Sequence, residues 1–332
     1  MRVSTSHTLL LLAVCGLLPS CHAHLVTYGS TSAFPLVHTS TDLRRIYVPA
    51  DAGGDHVWFL DTGNPFTTCD TGWIEHLELE SKGRRAYAGI MGKGIASLAT
   101  LPPLHLGEHQ VERVRCMVRD LTTTSSVIEP EEVAVAGILG LDVLSHFRFR
   151  IERDKGTLTL AAPKKSDQTM PTKIRWSPLT QRMRVRTHIG DASLFMIVDT
   201  GATDSILDGQ RVGLEPSQTR VGMIVRGSGG LGSSTRNLLQ YHEEVVLGGL
   251  ELGSVEFTDV PRGPALLGLD VLDRVSSDWA PKARRAQFHE PNADFIISWA
   301  DWKASGGCSP FWVQSSSESN ACTERSSAGG NK

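Results

Sequence analysis

One short phrase occurs twice in this chain. Two apolar residues are followed by Asp-Thr-Gly, first as Phe59-Leu60-Asp61-Thr62-Gly63 and again as Ile197-Val198-Asp199-Thr200-Gly201. Each copy is answered downstream by Leu-Gly-Leu-Asp-Val-Leu, at Leu139 to Leu144 and at Leu267 to Leu272. The aspartates are 199 − 61 = 138 residues apart and the answering glycines 268 − 140 = 128 apart. An isolated Asp-Thr-Gly means little, but two copies in the same order with the same partner read as one module of about that length used twice.

The residues before each Asp-Thr-Gly are apolar and β-prone, His56 to Leu60 and Leu194 to Val198, and each run follows a Gly-Asp turn at Gly54-Asp55 and Gly190-Asp191. Each Asp is therefore expected to end the second strand of a hairpin. Further on, both copies become rich in glycine, at Gly89, Gly92 and Gly94 and at Gly227, Gly229 and Gly230, which suggests mobile hairpin tips. Asp142 and Asp270, inside the answering phrases, are expected to cap short helices. The first copy closes in a hairpin around Asp154-Lys155-Gly156. The second reads as less regular, with Ser276 to Pro291 in place of a hairpin and a last apolar run at Phe295-Ile296-Ile297.

A chain of 332 residues with 40% hydrophobic content suits about two domains with a core in each. A net charge of −3 gives no basic field for nucleic acid. Arg2, the apolar run Leu9 to Leu18 and the small residues before His24 make residues 1–23 a secretory signal. That run is too short for a membrane span, which needs about 20 residues, and Leu18-Pro19-Ser20-Cys21 fits a lipoprotein box poorly. The lobes are expected at 24–162 and 181–302. Residues 163–180, with Pro163, Pro171 and Pro178, read as an exposed linker, and 303–332 as a Ser/Gly-rich tail.

Removing the signal leaves Cys69, Cys116, Cys308 and Cys322, an even number suited to an oxidising compartment. The repeat sets Cys69 opposite Leu207 and Cys116 opposite Phe257, both apolar. If those lie in the second core, Cys69 and Cys116 lie in the first, either within bonding distance or as two unpaired buried thiols. Cys308 and Cys322 would close a small loop in the tail.

Like halves can pack about a pseudo-twofold axis that brings Asp61 to face Asp199. Two carboxyls at close range share a proton, so one serves as base and the other as acid, which suits the activation of water against an amide. Thr62 and Thr200 offer hydroxyls across the axis, and Gly63 and Gly201 let backbone amides approach the carboxylates. These residues together resemble the retropepsin-like aspartic proteases, whose halves carry apolar-apolar-Asp-Thr-Gly, a glycine-rich flap and a late apolar-apolar-Gly, here Asp61 with Gly140 and Asp199 with Gly268. The likeness covers roughly residues 45 to 300, and the fusion of two halves in one chain is similar to pepsin.

The resemblance implies a mostly β, bilobal acid-protease fold of two homologous β-barrel halves with a cleft between them. It implies a secreted aspartic endopeptidase, monomeric, acting on extended polypeptide through Asp61 and Asp199 without a cofactor or metal. Asn64-Pro65 departs from the family's usual Ala, Ser or Thr, and the first copy has extra residues from Leu121 to Ala136. A protease-like scaffold that binds peptides without cutting them is the alternative. Ala202 has no hydroxyl to stabilise an ionised Asp, so the pH optimum is expected to be less acidic than in pepsin-like relatives. His105-Leu106-Gly107-Glu108-His109 matches a zinc-peptidase string, but Pro102, Pro103 and Gly107 favour a strand and turn over the helix that string needs. Gly227 to Gly232 likewise lacks the strand and helix of a dinucleotide site.

Overall fold

The computed structural model describes residues 24–35, 46–49, 56–89, 92–121, 134–152, 155–177, 180–226, 233–290 and 312–313. The signal segment, Gly54-Asp55, Phe295 to Ile297 and the tail with Cys308 and Cys322 lie outside them. The described chain is mostly β, and its two halves repeat one arrangement of strands.

In the first half, His56–Leu60 pairs antiparallel with Tyr47–Pro49 and parallel with Ala134–Leu139, so that Leu60 lies opposite Leu139. Thr68–Asp70 lies on the other edge of Ala134–Leu139, antiparallel to it, and runs parallel to Arg115–Arg119. The second half repeats this. Ala192–Val198 forms a hairpin with Met183–Ile189 through the turn at Gly190 and runs parallel to Leu266–Leu267, with Val198 opposite Leu267. Ile206–Leu207 is antiparallel to Leu266–Leu267 and parallel to Leu250–Asp259. Each Asp-Thr-Gly thus leaves a strand gripped on both sides, and Leu60, Leu139, Val198 and Leu267 are buried under it. Fully burying such a side chain contributes about 1.5–3 kcal/mol, so the strands that aim the two loops are anchored by the core itself.

The halves meet in a shared stretch of sheet. Arg148–Glu152 pairs antiparallel with Ser276–Ala280, in the register Phe149 opposite Trp279, Arg150 opposite Asp278 and Ile151 opposite Ser277. Since 150 + 128 = 278, equivalent strands pair with each other, and a local twofold axis passes through Arg150 and Asp278. Asp278 is buried and receives Arg148 at 3.0 Å, Arg150 at 3.7 Å and His289 at 3.0 Å. That pairing makes its burial tolerable, because a lone buried carboxylate would be strongly destabilising. The rings of Phe149 and Trp279 stack with centroids 6.2 Å apart.

Two expectations are corrected here. Ser276–Ala280 and Arg285–His289 form a regular hairpin, so the second copy closes as the first does. The stretch read as an exposed linker carries the strand Thr172–Trp176, which pairs with both Arg285–His289 and Met183–Ile189 and buries Ile174. Alternation along it (Lys173 out, Ile174 in, Arg175 out) marks an ordinary half-buried strand.

Cys69 and Cys116 form a disulfide with Cα atoms 5.8 Å apart, joining neighbouring strands inside the first core. Their counterparts Leu207 and Phe257 are fully buried in the second. Among the described residues no helix is long and apolar enough to cross a membrane.

Candidate active site

The two Asp-Thr-Gly loops meet at the junction of the halves and bond each other reciprocally. Thr62 N–H donates to Thr200 Oγ1 and Thr200 N–H donates to Thr62 Oγ1, both at 3.1 Å. Each hydroxyl then donates across the junction to the carbonyl before the opposite Asp: Thr62 Oγ1 to Val198 (2.9 Å) and Thr200 Oγ1 to Leu60 (3.0 Å). All four groups are buried and satisfied, so the pairing fixes one loop against the other.

This grip sets each carboxyl against the glycine of the opposite loop, so that Asp61 and Asp199 face each other across the junction. Asp61 is buried, whereas Asp199 retains partial exposure. Gly63 N–H (2.7 Å) and Asn64 N–H (3.0 Å) donate to Asp61 Oδ1, and Gly201 N–H (2.9 Å) donates to Asp199 Oδ1. The glycines are required by close approach: a Cβ on Gly63 would lie 2.1 Å from the Asp199 carboxyl carbon, and one on Gly201 2.5 Å from that of Asp61.

Burial raises the pKa of both carboxyls. For Asp199, the charge of Asp61 and their mutual bond push further, well above the usual carboxylate range. For Asp61, the bond from Asp199, the two backbone donors and the nearby Arg182 act in the opposite direction. The pair therefore shares a proton, with the charge better hydrogen-bonded on the Asp61 side, and titrates as a unit.

Arg182 was not legible in the sequence. Its Nε–H donates to the Gly63 carbonyl at 2.6 Å, and its charge lowers the pKa of both aspartates. The registers Tyr47 opposite Phe59 and Arg184 opposite Ile197 make Arg45 its counterpart, a residue outside the described ones.

The answering phrases brace the loops. Thr67 Oγ1 and Ser205 Oγ, 138 residues apart, donate to Asp142 Oδ1 (2.8 Å) and Asp270 Oδ1 (2.7 Å). The same hydroxyls accept from Gly140 N–H (3.2 Å) and Gly268 N–H (3.0 Å). The helices Leu141–Leu144 and Leu269–Leu272 are N-capped by Gly140 and Gly268 without a side-chain bond, so Asp142 and Asp270 tie loops together instead of capping helices. The repeat held this signal, since both hydroxyl positions align.

Ser81–Gly89 and Gly92–Thr100 form the first glycine-rich hairpin, with Gly89 opposite Gly92 at its tip. Gly94 lies under the ring of Tyr87, where a Cβ would come within 2.5 Å of it. The second hairpin is Gln218–Arg226 with Ser233–Leu247; Gly227, Gly229 and Gly230 lie outside the described residues. The His105 to His109 string is a strand, a turn at Gly107 and a strand. His109 is engaged by Gly29 N–H and the Leu160 carbonyl, and no cluster of metal-ligating side chains occurs among the described residues. A pocket of about 380 Å³ beside the first loop is lined by Pro65, Leu141, Asp142, Trp176 and Gln181.

No protein-family model matches the chain, and no curated protein matches it in sequence. Among solved structures, the chain is similar to the aspartic proteinase from Irpex lacteus, at 14% identity with a TM-score of 0.47, over 81% of this chain and 99% of that one.

Proposed function

We propose that this chain is an aspartic endopeptidase in which Asp61 and Asp199 share the catalytic work. The observation that carries the reading is that the two carboxyls face each other, each against the glycine of the opposite loop, with the loops clasped through Thr62 and Thr200. The ionised carboxylate takes a proton from a water molecule as its oxygen attacks the amide carbon. The protonated carboxyl hydrogen-bonds the carbonyl oxygen as charge develops there. The leaving nitrogen then receives a proton as the carbon–nitrogen bond breaks, and the dyad returns to one shared proton.

One chain supplies both aspartates, so the active unit is a monomer. The glycine-tipped hairpin Ser81–Gly89 and Gly92–Thr100 would cover an extended peptide and exclude water. A core disulfide suits an oxidising compartment, which agrees with secretion directed by residues 1–23. The test is cleavage of an unfolded protein between mildly acidic and neutral pH, with and without a statine-type inhibitor, beside Asp61→Asn and Asp199→Asn. Inhibitor-sensitive cleavage that either substitution reduces by about 10²- to 10⁴-fold is expected. A folded, monomeric wild type that cuts nothing overturns the reading in favour of a peptide-binding scaffold.

A further inference from the structure

We infer that the face formed by Phe66, Arg85 and Arg119 is a substrate subsite that selects an acidic side chain on one side of the scissile bond; this rests on the reading of the dyad above. Phe66 belongs to the loop that carries Asp61 and follows Gly63 by three residues. Three residues span at most about 11 Å, which is about three residues of an extended peptide. A substrate lying over the carboxyls therefore passes this ring within a few positions of the bond to be cut.

The chemistry of the face is set by strand alternation. Arg85 and Tyr87 are two apart on one strand of the covering hairpin, Ala96 and Leu98 two apart on the other, and Arg115, Met117 and Arg119 alternate on the next. Ala96, Leu98 and Met117 form one apolar cluster, against which Phe66 and Tyr87 pack. The Arg85 guanidinium carbon sits 3.2 Å from the Phe66 ring centroid, and that of Arg119 4.3 Å from the Tyr87 ring. A guanidinium held over a ring through its charge keeps N–H groups available for a carboxylate, which it can grip with two parallel bonds.

These cations are poorly neutralised by the protein. Among the described residues no carboxylate lies within ion-pair distance of Arg85, Arg115 or Arg119. Arg115 is near enough to repel Arg85, and among the described residues Asp142 is the carboxylate whose charge acts favourably on it. Asp142 is bound at one oxygen by Thr67 and Val143. Asp70, opposite Arg119 in the register, accepts from Gly72, Trp73 and Leu121 N–H groups. An incoming carboxylate would relieve the repulsion among the arginines. The second half carries Asp204 where the repeat aligns Phe66 (66 + 138 = 204), so the aromatic ring on which Arg85 lies has no counterpart on the opposite side of the dyad. The preference is therefore directional.

The test uses the full-length Asp199→Asn chain and fluorescein-labelled decapeptides in matched Glu and Gln pairs, with the Glu placed two to four positions to either side of a central pair of apolar residues. Anisotropy should show the Glu peptide binding about fivefold tighter on one side only, an advantage that shrinks with salt. Arg85→Gln with Arg119→Gln should abolish it, and Arg85→Lys should retain only part. Equal binding of Glu and Gln peptides on both sides, an advantage that survives the double substitution, or no binding of any peptide overturns the subsite. Hydrolysis of the same peptides by the wild type is read separately. Selective binding without cutting keeps the subsite and sinks the protease, whereas cutting with no Glu preference does the reverse.

Discussion

In the first half Asp-Thr-Gly continues as Asn64-Pro65-Phe66, and in the second as Ala202-Thr203-Asp204, yet the two loops run the same course. The carbonyls of Asn64 and Ala202 each accept from the first N–H of the helix that follows, donated by Leu141 and Leu269 at 2.8 Å in both cases. Thr67 and Ser205 make matching bonds to Asp142 and Asp270. What differs is the dressing of the carboxyls. Asp61 is buried and receives two backbone donors, while Asp199 is more exposed and receives one. The comparison teaches that backbone and bracing hydroxyls make the dyad, and that the residues after glycine decide how each half treats charge.

The sharpest way to break the equivalence is to add one methyl group to either loop. Gly63→Ala and Gly201→Ala each drive a Cβ into the opposite carboxyl. Both should lower kcat/KM by about 10²- to 10⁴-fold, as much as loss of an aspartate, with near-native circular dichroism. Steady-state peptide hydrolysis checks this, and near-normal activity in one of the two would show that its loop tolerates displacement.

The cores offer the next contrast, a disulfide in one and Leu207 with Phe257 in the other. Closing a loop of 47 residues stabilises by about 4 kcal/mol in the chain-entropy account. Cys69→Ala with Cys116→Ala should lose about that much in urea unfolding under non-reducing conditions. Grafting the second half's pair, Cys69→Leu with Cys116→Phe, should lose less, because it restores buried apolar volume. A graft no better than the alanines would mean that the two cores have diverged in shape.

Much of this was legible because it is local or repeated. The dyad loops and the burial of Cys69 and Cys116 follow from aligning one copy with the other, whereas the alignment left open whether those two cysteines bond. The shared sheet was not. Ser276–Ala280 contains two serines and Asp278, which reads as loop, and its burial depends on Arg148 and Arg150, some 130 residues away. Thr172–Trp176 sits between prolines that mark a connection, and its place is decided by partners on distant strands. Arg182 belongs to no motif, and only the fold brings it to Gly63.

Arg182 gives a pH test of the shared dyad. In the proposed mechanism activity needs one carboxyl ionised and one protonated, so its low-pH limb follows the first ionisation and its high-pH limb the second. The Arg182 cation lowers both pKa values. Arg182→Gln should therefore move both limbs of the kcat/KM profile to higher pH. Arg182→Lys, which keeps the charge and loses the planar donor to Gly63, should move them less. A profile unchanged in Arg182→Gln would confine this residue to holding the loop.

The smallest effect is expected at Asn64, where the first loop departs from the second. Its backbone N–H, not its side chain, reaches Asp61, and its side-chain amide makes a long bond of 3.3 Å to Thr68 Oγ1. Any residue that keeps the loop's course supplies the same donor. Asn64→Ala makes the first loop resemble the second and should change kcat/KM by no more than about threefold, the scale of one weak neutral hydrogen bond. Peptide hydrolysis across the active pH range measures it. A loss of a hundredfold would mean that the amide side chain itself orients Asp61, and the two loops would then owe their matching geometry to different causes.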